Sequence, residues 1–207
     1  FNMNIVFFGS SNFAVPSLKV LLGAGHKISC VLTQPDRQKG RHLQLGETPV
    51  KKIAEDAHFS IYQPGRINTP EAMKFLKGLS PDLFIVVAYG QILSQEILDI
   101  PKISSINVHG SLLPKYRGAA PINWVIINGE KTTGITIIKM TKDMDAGPVI
   151  LKKEIDITED DDVLTLENKL SHLGAQLLLD ALKSIENNNY NLTPQDEEKI
   201  SFAPRLK

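Results

Sequence analysis

Cysteine occurs once in the 207 residues, as Cys30, and tryptophan once. A single thiol cannot form an intrachain disulfide, which suits a reducing compartment. Long apolar runs are also missing. The longest uninterrupted one, residues 83–89, falls far short of the roughly 20 residues a membrane-spanning helix needs. Neither sign of charge is in excess, with 23 Lys plus Arg against 23 Asp plus Glu. The sequence therefore lacks the overall basicity of a dedicated nucleic-acid binder, although a local basic patch stays open. No basic segment precedes an apolar stretch, so a cytoplasmic protein with no secretory signal and no membrane partner is expected. Met3 reads as the natural start, with Phe1 and Asn2 as an expression scar. His26, His42, His58 and His172 have no metal-ligand spacing, and with one cysteine no metal is expected. At 42% apolar and 22% charged residues the composition is globular, which excludes global disorder and leaves room for one sizeable core.

What is present reads as an α/β chain. Residues 4–8 form a short apolar run without polar alternation, as a strand buried on both faces does. Residues 13–22 carry apolar side chains at helical spacing and end at Gly23 and Gly25. Residues 28–33 are a second strand, which completes a βαβ unit and favours a parallel sheet. Residues 34–48 show no period and read as a long loop. A helix over 49–57, a weak strand at 61–62 and a helix capped by Thr69 with Pro70 in its first turn follow. Strands are predicted at 83–88 and 105–109, a short helix at 121–128, and strands at 133–140 and 149–157. A long amphipathic helix is predicted over 163–185, with the acids of 159–162 serving its N-terminus. Residues 187–207 read as a polar tail. The fold expected is a Rossmann-like, mostly parallel sheet with helices on both faces and a β-rich second half. Ligands of such sheets sit at the carboxyl ends of the strands.

That rule directs attention to a few loops. Asn107 and His109 stand two apart on a predicted strand and so point the same way. Together they offer an amide donor and an imidazole for an oxyanion or a proton, though alone they read better as a satisfied polar pair. Asp145 lies in the loop before the next strand. A carboxylate there would orient the histidine ring, so Asp145 is expected to partner His109; solvated acids in a Gly-containing turn are the ordinary alternative. Gly9-Ser10-Ser11-Asn12 matches neither a dinucleotide nor a P-loop fingerprint. Between residues 37 and 52, Arg37, Lys39, Arg41, Lys51 and Lys52 outnumber Glu47. That patch suits a phosphate backbone, or is simply a solvated loop.

The stretch Ile106-Asn-Val-His-Gly-Ser-Leu-Leu-Pro-Lys-Tyr-Arg-Gly-Ala-Ala-Pro-Ile122 resembles the signature of the folate-dependent formyltransferases. Phe8-Gly-Ser-Ser-Asn-Phe-Ala14 and Val86-Val-Ala-Tyr-Gly90 agree with it. Gly118-Ala-Ala-Pro121 and Gln34-Pro-Asp-Arg37 resemble the branch that acts on tRNA. The resemblance implies formyl transfer from 10-formyltetrahydrofolate to the methionine amino group of initiator methionyl-tRNA. It implies Asn107, His109 and Asp145 as the catalytic trio. It implies a folate site at Ser111, Leu112, Leu113 and Pro114, and a pterin pocket lined by Val87, Ala88, Tyr89, Gly90 and Ile92, largely through backbone groups. Arg41 matches a loop arginine that reads the tRNA acceptor end, with Arg37 and Lys39 beside it. The rest of the reading is one catalytic domain over residues 3–207, acting as a monomer, without the basic C-terminal barrel such enzymes usually carry. The alternatives are a formyltransferase for an amino-sugar nucleotide or glycinamide ribonucleotide, a formyl-folate hydrolase, and a non-catalytic binding module.

Overall fold

The computed structural model describes residues 2–39 and 44–206, and the chain divides into two compact units, Phe1–Ser105 and Ile106–Lys207. The first unit runs β1 (Asn4–Gly9), α1 (Val15–Leu22), β2 (Lys27–Leu32), β3 (Arg37–Lys39), β4 (Gln44–Gly46), α2 (Pro49–Asp56), β5 (Ile61–Tyr62), α3 (Pro70–Gly78), β6 (Leu83–Val87) and α4 (Gln95–Leu98). Its main strands are parallel in the order β5-β2-β1-β6. Ile5, Val6, Phe7 and Phe8 are buried, as is all of β6, because strands covered on both faces have no use for polar alternation. Thr48 and Thr69 cap α2 and α3, accepting from the backbone N–H of Lys51 and Ala72 at 3.1 and 3.2 Å, and each helix has proline in its first turn. Asp82 ties the start of β1 to the approach to β6. It accepts from the Asn4 N–H at 2.8 Å and from Lys102 at 2.9 Å. These donors, the backbone one foremost, hold its carboxyl below the usual aspartate value.

The second unit takes the functional half of β7 (Ser104–His109), then α5 (Pro121–Ile127), β8 (Thr132–Lys139), β9 (Val149–Asp156) and α6 (Val163–Glu186). Here the strands are antiparallel. Asn107 stands opposite Ile138 and His109 opposite Thr136, while Gly134 faces Glu154 on β9. β8 is buried from Thr133 to Ile138, whereas β9 exposes Lys152, Lys153 and Glu154, charges that discourage further strand addition. α6 packs on β8 and β9 through Leu166, Leu170, Leu173, Leu177 and Leu178. It opens with a capping box between Asp162 and Thr165. Asp161 pairs with Lys169 at 2.8 Å, so the acidic run serves the helix start as expected. Among the described residues no helix is long and apolar enough to cross a membrane.

The expected α/β sheet, parallel at first and β-rich later, is present, with three differences of detail. The long loop over 34–48 contains a small antiparallel pair, β3 with β4, too short to show a period. The one-turn helix α4 went unread because four residues carry no helical repeat. The supposed tail is docked on the second unit. Thr193 exchanges two backbone hydrogen bonds with Val149 at 2.8 and 2.9 Å, Ala203 is fully buried, and the Trp124 indole N–H donates to the Pro204 carbonyl at 2.8 Å.

A Cβ at Gly134 would overlap the Lys153 carbonyl and the Leu112 side chain, whereas one at Gly78 would meet nothing within 4 Å. Gly134→Ala should therefore cost about 1–3 kcal/mol in urea unfolding, and Gly78→Ala should gain about 0.4–1 kcal/mol. For Asp82, the folded pKa lies below the unfolded one. Its contribution is present above the unfolded value and lost as pH falls through the folded one. Asp82→Asn should lower stability near neutrality and flatten the acid limb of the stability–pH curve.

Candidate active site

The end of β7 presents Asn107 and His109, and the loop between β8 and β9 presents Asp145 to both. Asn107 Nδ2 donates to Asp145 Oδ1 at 3.2 Å, and His109 Nδ1 lies 3.6 Å from the same oxygen. The second carboxylate oxygen accepts from the Gly118 backbone N–H at 2.9 Å. His109 and Asp145 are only 6% and 11% exposed, so both face partners chosen by the protein rather than by bulk water. Asp145 has φ of 53°, a left-handed conformation that its surroundings must hold. The loop is closed tightly. The Lys139 N–H donates to the Pro148 carbonyl at 3.0 Å, and any side chain at Gly147 would overlap the Lys139 carbonyl.

The histidine ring is oriented differently from the sequence expectation. Its Nε2 sits 2.9 Å from the Tyr116 carbonyl oxygen. A carbonyl only accepts, so Nε2 carries the proton. The other nitrogen, Nδ1, faces Asp145 at a distance longer than a hydrogen bond. The ring is thus aimed by a backbone carbonyl, and Asp145 stands where a proton on Nδ1 would meet a negative charge. Tyr116 is itself pinned. Its hydroxyl donates to Glu130 at 2.5 Å and accepts from Asn128 at 3.1 Å, and its N–H donates to the Ser201 hydroxyl at 2.9 Å. Burial first, and then the Glu130 contact, push the Tyr116 phenol upward.

Ser111, Leu112, Leu113 and Pro114 form the turn after β7. Thr136 ties it down, donating to the Ser111 carbonyl at 2.7 Å and accepting from the Leu113 N–H at 3.0 Å. Ser111 is fully buried and spends its hydroxyl on the Lys115 carbonyl at 2.7 Å. That bond holds the turn in place.

In the first unit the segment 87–92 leaves β6 irregularly, with positive φ at Ala88 and Gly90. Val87 and Tyr89 are buried, while Ala88, Gly90 and Ile92 are exposed. The Tyr89 carbonyl already accepts from Ser10 Oγ at 2.8 Å and from Gln34 Nε2 at 3.2 Å. Its ring packs edge-on against Phe8, and burial pushes its phenol well above the ordinary range. Of the exposed residues in this segment, Ile92 has its carbonyl engaged by Asn68 Nδ2 at 2.9 Å.

Of the basic residues, Arg37 is exposed, with Nη2 3.4 Å from Gln34 Oε1. Lys39 lies in β3, and Arg41 lies outside the described residues. Lys51 does not add to the patch. It is held by Asp36 at 2.5 Å, Glu47 at 3.3 Å and Glu55 at 3.8 Å. Asp36 also accepts from Gln63 at 2.8 Å, and the Lys51 contact is the main cause that keeps its carboxyl low. Several supporting groups were not read from the sequence: the Tyr116 carbonyl, the Gly118 N–H, Thr136, Gln195 and Ser201. The last two had one signal, the apolar Phe202-Ala-Pro204 island in an otherwise polar stretch.

Comparison with known proteins places the chain in a family. Residues 3–182 match the family model described as formyl transferase. The methionyl-tRNA formyltransferase of Acetivibrio thermocellus is 48% identical over 204 residues, 99% of this chain and 66% of that protein. That of Caldanaerobacter subterraneus subsp. tengcongensis is 49% identical over 203 residues, 98% of this chain and again 66% of the relative. The chain thus spans just under two thirds of the length of these curated relatives. Among solved structures, glycinamide ribonucleotide transformylase 1 from Symbiobacterium toebii superposes with a TM-score of 0.76 at 17% identity, covering 93% of this chain and 94% of that one. An N-formyltransferase from Helicobacter canadensis in complex with folinic acid and dTDP-3-aminofucose gives 0.74 at 22% identity, covering 98% of this chain and 71% of that one. At such identities the likeness establishes a shared α/β fold. The chain belongs to the formyl transferase family.

Proposed function

We propose that the chain carries the chemistry of a methionyl-tRNA formyltransferase, with 10-formyltetrahydrofolate as donor and the methionine amino group of initiator tRNA as acceptor. The observation that carries this reading is the convergence of Asn107 and His109 on one oxygen of Asp145. The folate-dependent reading of the donor draws on family membership, and the acceptor on relatives 48–49% identical. The amine attacks the formyl carbon, a C–N bond forms, and the carbonyl oxygen gains charge. Asn107 has a second amide hydrogen, beyond the one spent on Asp145, to donate to that oxygen. His109 Nδ1 accepts the proton that the amine must lose, and Asp145 stabilises the imidazolium that results. The C–N bond to the donor then breaks and that nitrogen takes up a proton, so protons balance over the turnover. Ser111, Leu112, Leu113 and Pro114, with Val87, Ala88, Tyr89, Gly90 and Ile92, are the residues we assign to folate. Arg37, Lys39 and Arg41 are those we assign to tRNA. Ala88 and Gly90 suit recognition through backbone because their surroundings leave them exposed.

The rival acceptors differ in chemistry, so one experiment separates them. The protein is incubated with the formyl donor and, in turn, methionyl-tRNA, an amino-sugar nucleotide, glycinamide ribonucleotide or water alone, and formyl transfer is followed. Transfer to methionyl-tRNA is the expected result. Transfer to a sugar nucleotide or to water, and never to aminoacyl-tRNA, would overturn the assignment. Asn107→Ala and Asp145→Asn should each lower kcat by about 100- to 1,000-fold, the usual consequence of losing one transition-state contact.

A further inference from the structure

We propose that Gln195, held by Arg117, is a positioning residue that sets the place of Asp145. This rests on the reading of Asp145 as part of the reacting constellation and adds to it a residue from the C-terminal segment. Gln195 Nε2 donates to the Asp145 carbonyl and to the Gly147 carbonyl, both at 2.7 Å. Both amide hydrogens are thereby spent on the two backbone acceptors flanking Ala146. Gln195 Oε1 accepts from Arg117 Nε at 3.0 Å and from Nη2 at 2.8 Å. Because a guanidinium only donates and a carbonyl only accepts, the amide cannot be flipped without losing all four contacts. The side chain reads its neighbours unambiguously.

The contacts fall where Asp145 needs them. Its φ of 53° is a left-handed conformation that aspartate tolerates but does not prefer, so contacts to the turn help to hold it. Gly118 and Asn107 grip the carboxylate, and Gln195 grips the backbone on either side of the same turn. Arg117 is the residue between Tyr116, whose carbonyl aims His109, and Gly118, whose N–H holds Asp145. The C-terminal segment fixes this stretch too: the Arg117 N–H donates to the Ser201 carbonyl at 2.9 Å, and the Arg117 carbonyl accepts from the Ala203 N–H at 2.7 Å. One amide–guanidinium pair therefore joins the segment that aims the imidazole to the loop that carries the carboxylate. Displacing either by a fraction of an ångström alters the Nδ1 to Oδ1 approach that the chemistry uses.

Gln195→Glu tests this with minimal change of shape. Glutamate still accepts from Arg117 but cannot donate to either carbonyl. The expected result, in the whole chain with formyl transfer as readout, is a kcat lowered by about 10- to 100-fold, the scale of a slightly misplaced group. KM for the formyl donor and the thermal midpoint should stay near those of the unaltered protein. Amide hydrogen exchange should quicken over residues 145–147. In an Asp145→Asn background the same change should cost no further activity, because the group it positions is already lost. Arg117→Lys, which keeps a donor but removes the fork, should lower kcat in the same direction by less. A Gln195→Glu protein with full kcat, beside an impaired Asp145→Asn, would overturn the positioning role and leave the proposed chemistry intact. So would equal losses from Gln195→Glu in both backgrounds, the mark of a purely structural residue. Full activity in Asp145→Asn would instead remove the catalytic reading on which the inference stands.

Discussion

The Asp145 carboxylate is the constraint around which the second unit is arranged. One of its oxygens serves Asn107 and faces His109, and the other serves the Gly118 backbone. A carboxylate in this position has lost most of its water and must be repaid by donors, since an unpaired buried charge is costly. The donors come from β7 and from the stretch after it, the acceptor from the loop before β9, and meeting at one residue ties those three places together. Much else in the unit follows. β8 supplies Thr136 beneath the 111–114 turn. The tight return from β8 to β9 leaves no room for a side chain at Gly147. Docking of residues 193–204 completes the surround.

The first unit solves a different problem. Its strands are apolar along their length, and the sequence shows this directly in Ile5-Val-Phe-Phe8 and in Leu83-Phe-Ile-Val-Val87. Where they end, polar groups must be satisfied without regular pairing. Ser10, Gln34 and the Tyr89 carbonyl form one such cluster, and Thr33 and Thr48 share a hydrogen bond at 2.6 Å. Asp36 and Lys51 anchor the base of the β3–β4 segment. That anchoring takes from the surface a lysine which a count of basic residues would assign to RNA. Local charge is therefore less than the sequence tally suggests, because ion pairing within the fold consumes part of it.

This difference explains what was legible. Strands and helices with a repeating pattern could be read, as could caps such as Thr69 followed by Pro70, because their causes lie within a few residues. That Asn107 and His109 share one side of a strand was legible from strand period, and Asp145 stood in a strand-end loop, but each alone read as an ordinary polar feature and the resemblance supplied the trio. The C-terminal segment was not legible. Its order comes from Thr193, Gln195 and Ser201 bonding to backbone groups between 44 and 87 residues away in sequence, and such bonds leave no period. The hold of Ser111 on its own turn was not legible for a related reason, since nothing in the motif shows that the Lys115 carbonyl takes its hydroxyl.

The orientation of His109 carries the synthesis one step further. With Nε2 committed to a carbonyl, the ring has one nitrogen left for proton traffic, and that nitrogen faces Asp145. A neutral ring then offers a lone pair at Nδ1, and a protonated ring offers a donor at the same point, so under the proposed function one atom serves both halves of the transfer. Had Asp145 aimed the ring instead, its contact would have fixed a proton on Nδ1 and left Nε2 to do the chemistry. The Tyr116 carbonyl decides between these arrangements. The bonds from Tyr116 to Glu130, Asn128 and Ser201 therefore bear on where the imidazole points, and under the proposed function on the chemistry. Under the proposed chemistry the geometry of the trio is set by backbone carbonyls and by the side chains that hold them in place, and the motif residues inherit it.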